Sequence, residues 1–446
     1  MALSWRAAPL VAVGLVWVVL SPTTGTAWAW FALVAAMCGL DALLAVSPRS
    51  LGVSREVVSP LRADETTTST VTVSKPNRRG VRLDLRDAWP PSLRPTSRHR
   101  LTIAAGATAD ATTRLSPSRR GTRHADYVTL RVWGPLGLGA RQVSLAAPLT
   151  LTVLPEFRSR RLLPTRLARL HELEGAAATT LRGPGTEFDS LRDYVRGDDP
   201  RDIDWRASAR SPELVVRTWR PERDRHVVLV LDAGRSGALL LGAPGVDEGG
   251  RPGESVALGE APRLDAGIEA ALLLAALADR AGDNVHLLAL DRTVRARVSG
   301  VRGPGLMREV ASALADVSAS LDPLDWSLVV SEVRRSVRHR CLVVLFTELP
   351  PAGSDPDFLE AVAQLSARHV VLVASAQDPT LGRLAGGHDD ARAVFAAAAA
   401  DATLRAQDEG ARDAEAAGAV VLGADAGLLA ARVSDRYLAL KKAGRL

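Results

Sequence analysis

Five uninterrupted apolar runs in the second half of the chain limit its fold more than any other feature. They are HVVLVLD (226–232), VHLLALD (285–291), CLVVLFT (341–347), HVVLVAS (369–375) and AVVLGAD (419–425). Each is too short for a core helix and shows no alternation, as expected for strands buried on both faces. Ala- and Leu-rich stretches separate them at 263–281, 305–319, 326–338, 356–368 and 390–417, and a final helix is expected over 425–442. This alternation predicts an α/β doubly wound domain over 226–446, a parallel sheet with helices on both faces. TVRARVS (293–299) reads as an antiparallel edge strand, and 237–261 as a Gly- and Pro-rich insertion near the strand ends, where such sheets bind ligands.

The N-terminus has a different texture. Residues 7–20 carry no charge, and residues 27–46 carry only Asp41. A spanning helix needs about 20 apolar residues, a length the second segment meets and the first approaches. Trp5, Trp28 and Trp30 fall near the proposed ends, where interfacial indoles are expected. Arg6 precedes the pair and Arg49 and Arg55 follow it, while the turn between carries no cation. The positive-inside rule then gives a two-helix transmembrane hairpin over 1–49, with both termini and the soluble domains cytoplasmic. A signal peptide is the rival reading, against which the second apolar segment argues. Asp41 near the inner end reads as an interfacial or helix-packing residue.

Residues 50–155 show partial period-two alternation in TTTSTVTVS, VRLDLRDA, RHRLTIAA, ATADATTRL, YVTLRVW and LTLTVLP, punctuated by turn residues. Strands at this spacing predict a small β-sandwich. Residues 156–225 read as a polar connector holding a dense motif, TEFDSLRDYVRGDDPRDIDWRASAR (186–210). Phe188, Leu191, Tyr194 and Val195 recur at helical spacing, Gly197 stands where such a helix would end, and Asp199 with Pro200 would start a second one. Asp202 falls where a capping-box partner reaches back. The alternating Arg and Asp then pair across the corner as a clasp or form a docking surface. A clasp requires Asp204 or Arg201 to be partly buried, since exposed pairs contribute only about 0–1 kcal/mol each. Trp205 reads as a core residue.

Composition removes several function classes. A P-loop needs a Lys after its glycines, and the only lysines are Lys75, Lys441 and Lys442. The net charge is +6, but acidic residues are interspersed and aromatics are only 4%, which argues against nucleic acid as a partner. Two cysteines, Cys38 and Cys341, make no disulfide framework. HELEG (171–175) lacks the second His of a zinc protease, and GRSGA (234–238) lacks the Gly a nucleophile elbow requires. Cys341, two residues after His339, falls in a buried strand, and Arg196-Gly197-Asp198 matches an integrin ligand only by coincidence in a cytoplasmic chain. No catalytic set emerges.

The first apolar run ends in Asp232-Ala233-Gly234-Arg235-Ser236. An Asp at a strand end followed by Ser resembles the start of the divalent-metal site of von Willebrand factor A domains, where hard oxygen ligands suit Mg²⁺. Asp232, Ser236 and Glu348 are the candidate ligands. Gly234 stands where that family has a nearer Ser, Glu348 where it has Asp, and the segment LDPLDW offers Asp325 where a Thr is expected. The plain alternative is an Asp capping a turn at the sheet edge.

The motif, from EFDSLRDYVRGDDPRDIDWRASARSPELVVRTWRPERD into HVVLVLD, closely resembles the signature of the bacterial domain-of-unknown-function 58 family. Arg192, Tyr194, Gly197, Asp198, Asp199, Arg201, Asp204, Trp205 and Arg210 carry the resemblance. SPSRRGTRH and WGPLGL resemble that family's Arg-Arg-Gly and Asp-Pro-Leu-Gly-Leu elements, with Trp133-Gly134 departing from the pattern. The resemblance implies a membrane-anchored protein with a von Willebrand factor A-like domain. It also implies a partner, a MoxR-type AAA+ ATPase, with which such proteins act on a protein client, and no established catalysis. The sequence thus predicts a non-enzymatic membrane adaptor without a required cofactor. A metal-dependent protein-binding module independent of an ATPase is the alternative.

Overall fold

The computed structural model describes residues 2–20, 23–74, 80–178, 187–195, 198–220, 225–242, 261–387 and 389–446; Gly197 lies outside them. The chain has mixed α/β content and divides into two compact units, Met1–Glu156 and Phe157–Leu446.

The first unit begins with a short strand β1 (Ala2–Leu3) and two apolar helices, α1 (Ala7–Leu20) and α2 (Thr24–Leu44). Among the described residues, one helical stretch, Thr24–Ser50, is long and apolar enough to cross a membrane; Ala7–Leu20 is shorter. Eight strands follow: β2 (Gly52–Val57), β3 (Leu61–Arg62), β4 (Thr67–Ser74), β5 (Val81–Asp87), β6 (Arg98–Ile103), β7 (Thr108–Leu115), β8 (Gly121–Trp133) and β9 (Gly139–Leu154). One sheet runs β1-β9-β8-β5-β6 with β3 beside β9, and a second runs β2-β4-β7. Alternation does what the sequence pattern requires. Val71 and Val73 of β4 and Val81, Leu83 and Leu85 of β5 turn inward to a shared core, with Val128 and Leu130 of β8. A buried ion pair crosses that core, Arg55 to Asp87 at 2.7 Å. The Arg55 guanidinium also donates to the carbonyls of Ala125, Tyr127 and Ala147, where the β8–β9 register shifts between Ala125 and Tyr127.

Asp41 explains how the apolar helices meet the sheets within this unit. It is buried, and its carboxylate accepts N–H bonds from Leu136 (2.8 Å), Leu138 (2.7 Å) and Gly139 (3.0 Å) in the β8–β9 turn. Leu138 packs beside Val34 and Cys38 of α2. A side chain at Gly134 would strike Asp41, and one at Gly139 would strike the Cys38 carbonyl, so glycine is needed at both places for the turn to reach the helix. Asp41 is therefore a helix-packing residue.

The second unit opens with α3 (Leu163–Ala178). Phe157, Leu162 and Leu170 belong to the core below, and Ser159 N–H donates to Glu269 at 2.5 Å. This stretch, read from sequence as polar connector, is part of the α/β packing because its apolar residues return at helical spacing to one face. Next come β10 (Glu187–Asp193), α4 (Trp205–Ser208) and β11 (Val215–Arg220). The main sheet and its helices follow: β12 (His226–Asp232), β13 (Leu240–Leu241), β14 (Ala261–Pro262), α5 (Arg263–Arg280), β15 (Asn284–Leu290), β16 (Val294–Val298), α6 (Leu306–Ala315), α7 (Trp326–Ser336), β17 (Leu342–Phe346), α8 (Pro356–Ser366), β18 (Val370–Gln377), α9 (Pro379–Ala385), α10 (Ala391–Ala416), β19 (Val420–Asp425) and α11 (Leu429–Lys442).

The strand order is β16-β15-β12-β17-β18-β19, parallel except for the antiparallel edge strand β16. Val227, Leu229 and Leu231 of β12 pack with α5 and α11 on one face, and Val228 and Val230 with α7 and α8 on the other. Burial on both faces is the reason the runs are continuous. Among the parallel strands of this sheet, the first in sequence, β12, lies between the second and third, β15 and β17. Its C-terminal end is therefore the point where the chain reverses its direction across the sheet, the usual place for a ligand site.

Asp41→Ala strips the acceptor from two buried N–H groups and should lower the stability of the first unit by about 2 kcal/mol or more. Asp41→Asn, which keeps one acceptor oxygen, should lose less. Thermal unfolding of the full chain in detergent micelles reads both, and an unchanged first transition in Asp41→Ala would remove this role.

Candidate functional site

Two groupings of candidate residues emerge in the second unit. The first is the motif. Residues 187–193 form a strand rather than the helix their spacing suggests, because β10 pairs antiparallel with β11, Leu191 opposite Arg217 and Asp193 opposite Val215. A partner some two dozen residues away along the chain outweighs the local periodicity. The chain between the strands is folded back onto the start of β11 by backbone bonds: Tyr194 N–H to Leu214 O at 2.7 Å, and Asp204 N–H to Val215 O at 2.9 Å. Asp199 caps the single turn Pro200–Asp202 through Arg201 N–H at 2.9 Å. Asp204 caps α4 through Arg206 and Ala207 N–H, both at 3.0 Å.

Ion pairs close this ribbon. Arg192 meets Asp198 with both terminal nitrogens, at 2.8 and 2.6 Å, and Asp198 also accepts from Val195 N–H at 2.9 Å. Arg217 Nε meets Asp204 at 2.9 Å. The Asp204 side chain is only 16% exposed, whereas Arg201 is exposed. The Ala207 N–H, then the Arg217 guanidinium, hold the Asp204 carboxyl below the usual carboxylate range. Trp205 does not enter a core, contrary to the reading from sequence. As the first residue of a one-turn helix capped at Asp204, it is 67% exposed, and Val195 beside the turn is 62% exposed. Arg206 and Arg210 are exposed, and Tyr194 is half-buried.

The second grouping lies where β12 and β17 end side by side. Asp232 is buried, and three donors point at its carboxylate: Gly234 N–H at 2.8 Å, Thr347 Oγ1 at 2.7 Å, and the Ser236 hydroxyl. Burial pushes the Asp232 carboxyl up from its ordinary range, opposed by Ser236, Thr347, Gly234 and the charge of Arg263. Glu348 does not join this cluster as a free ligand. Arg263, buried at the start of α5, holds its carboxylate at 2.8 Å.

The hydroxyl missing from the sequence reading is Thr347. It closes the run CLVVLFT, and only the adjacency of β12 and β17 brings it to Asp232. Asp325 is instead the N-cap of α7, accepting from Leu328 N–H at 3.0 Å and Ser327 Oγ at 2.7 Å. The segment before it crosses the end of β12: Ser320 N–H reaches Ala233 O, and Arg235 N–H reaches Asp322 O, both at 2.7 Å. A Cβ at Gly234 would lie 2.7 Å from Asp322 O. That backbone occupies the place of the nearer Ser, so its absence has a steric cause. Among the described residues, no three carboxylate, imidazole or thiol groups gather as a metal-ligand set.

Cys341 pairs with His369 Nδ1 at 3.2 Å rather than with His339. Burial pushes its thiol up to about 12, so it stays protonated at neutral pH and lacks the thiolate a nucleophile needs.

The comparisons with known proteins address the motif and little else. Residues 190–241 match the family described as "Protein of unknown function DUF58". The matched span runs from β10 through the ion-paired ribbon to Asp232 and Ser236. No curated protein matches the chain. Among solved structures, a PapD-like domain of human CEP192 is 10% identical, covering 24% of this chain and 92% of that one, with a TM-score of 0.17. The CARDB domain of a Pyrococcus furiosus protein, in complex with di-metal ions, is 14% identical over 23% of this chain and 87% of that one, at 0.18. An inactive mutant of a Vibrio harveyi GH20 exo-β-N-acetylglucosaminidase is 10% identical over 84% of this chain and 75% of that one, at 0.21. At such TM-scores none of the three informs the fold.

Gly234→Ala should destabilise the second unit by about 1–3 kcal/mol, since the new methyl meets backbone rather than a yielding side chain; chemical denaturation checks it. For Asp204, the lowered folded pKa means its contribution is present above the unfolded value and is lost as pH falls through the folded one. A carboxyl-carbon NMR titration should therefore place its midpoint below the ordinary value of about 3.9, and Arg217→Met should move it back up.

Proposed function

We propose that the chain is a non-enzymatic, membrane-anchored adaptor that docks a MoxR-type AAA+ ATPase through the motif and, with it, acts on a protein client. The observation that carries this reading is the exposed face of the clasp. Trp205 and Val195 stand outward, with Leu191 and Leu214 also exposed, on a ribbon fixed by the Arg192–Asp198 and Arg217–Asp204 pairs. Large aromatic and Arg side chains on a rigid frame are the usual anchors of protein interfaces, and Arg201, Arg206 and Arg210 accompany them here. The choice of ATPase rests on the family resemblance of the motif.

The remaining parts of the reading have their own support. The order of the parallel strands around β12, with Asp232 at the reversal point, supports a von Willebrand factor A-like domain. The two sheets of the first unit support a β-sandwich. Packing of α1 on α2, with Trp30 Nε1 donating to Leu10 O at 3.1 Å, together with the outward apolar residues Val16, Trp17, Trp28 and Phe31, supports a two-pass anchor. The charge pattern around the helices supports a cytoplasmic side for the soluble parts.

The test is extraction of the tagged chain from native membranes in mild detergent, followed by mass spectrometry. An ATPase should co-purify with the wild type and be lost with Trp205→Ala at an unchanged unfolding midpoint. Recovery undiminished by both Trp205→Ala and Arg201→Ala would exclude the motif as the docking surface. Absence of any ATPase, with nucleotide present or absent, would remove the partner.

A further inference from the structure

The strand-end cluster has the carboxylates and hydroxyls of a divalent-metal site, yet its electrostatics are already settled by a side chain. The guanidinium of Arg263 donates through Nε to Ala376 O at 3.1 Å and through Nη1 to Ser236 O at 3.0 Å. The same group pairs with Glu348 at 2.8 Å. Asp232, Arg263 and Thr347 line one small pocket. Arg263 is also the first residue of α5. A cation there meets the positive end of the helix dipole and loses most of its hydration, so its burial is unfavourable unless fixed carboxylates and carbonyls surround it. Here they do. The oxygen ligands a divalent ion would need are at the same time committed: Asp232 receives three donors, and Glu348 faces the guanidinium.

We infer that Arg263 is a built-in cation standing in the role of the divalent ion, so that the Asp232–Ser236–Thr347–Glu348 cluster is metal-independent, with the guanidinium paired to Glu348 and bound to the Ser236 carbonyl. The residues do not fit Mg²⁺ while Arg263 is present, because an ion placed among them would be repelled by that charge and would displace hydrogen bonds already made. Removal of the charge frees Glu348 and leaves Asp232 without its nearby cation, which converts the cluster into a set of oxygen ligands of the kind hard divalent ions take. The inference stands whether or not the motif docks an ATPase.

The experiment uses the full chain in detergent with Mn²⁺ as the probe, read by loss of the free-ion electron paramagnetic resonance signal, and with thermal unfolding in Mg²⁺ against a chelator. The wild type should show no saturable Mn²⁺ uptake and no shift of its midpoint. Arg263→Met, which keeps much of the length without the charge, should gain saturable uptake that Asp232→Asn then abolishes. Saturable uptake by the wild type that Asp232→Asn removes would overturn the inference, and this arm needs no altered Arg263 to fold. A folded Arg263→Met that takes up no Mn²⁺ would overturn it as well.

Discussion

A carboxylate buried at the end of an otherwise uncharged helix has to find donors, and in this chain that need fixes how the N-terminal helices join the β structure. Asp41 takes three backbone N–H groups from one turn. Those groups would otherwise be unsatisfied against an apolar helix, so carboxylate and turn each relieve the other's desolvation. A side chain at 134 would collide with Asp41. Glycine at 134 leaves the room that the Asp41 carboxylate occupies.

The same logic operates in two other buried places. Arg55 enters the β core because three carbonyls and Asp87 receive it, and these carbonyls lie where the long β8–β9 ladder changes register. Arg263 enters the α/β core because Glu348 and two carbonyls receive it. In each case a single displaced partner would leave an ion buried without compensation, so removing one partner costs more than the intact pair contributes. The surface pairs of the motif differ in kind. Half-exposed and screened, they add little energy individually, but their reach between successive turns gives the ribbon its shape.

Legibility in the sequence followed the range of the interaction. The strands of the parallel sheet could be read because burial on both faces writes itself as a continuous run, and the capping role of Asp199 because a cap acts within a few residues. What failed depended on distant partners. Leu191 and Tyr194 showed helical spacing, yet β11 recruited their segment into a strand. Trp205 reads as a core residue in the sequence because no local rule tells a tryptophan on a one-turn helix which way solvent lies. Thr347 went unnoticed because its meaning depends on β12 being the neighbour of β17, a fact of topology. Arg263 was invisible for the same reason: nothing around it in the sequence announces a buried guanidinium.

The base of the excursion between β13 and β14 has a consequence for the helix that follows it. Leu240 and Leu241 pair with Pro262 and Ala261, Arg263 N–H binds Leu239 O at 2.8 Å, and Leu264 N–H binds Gly237 O at 3.0 Å. With the neck tied this way, the entry of α5 is anchored by bonds from both sides of the neck, so the position of Arg263, and with it the cluster beneath, is set before the helix begins.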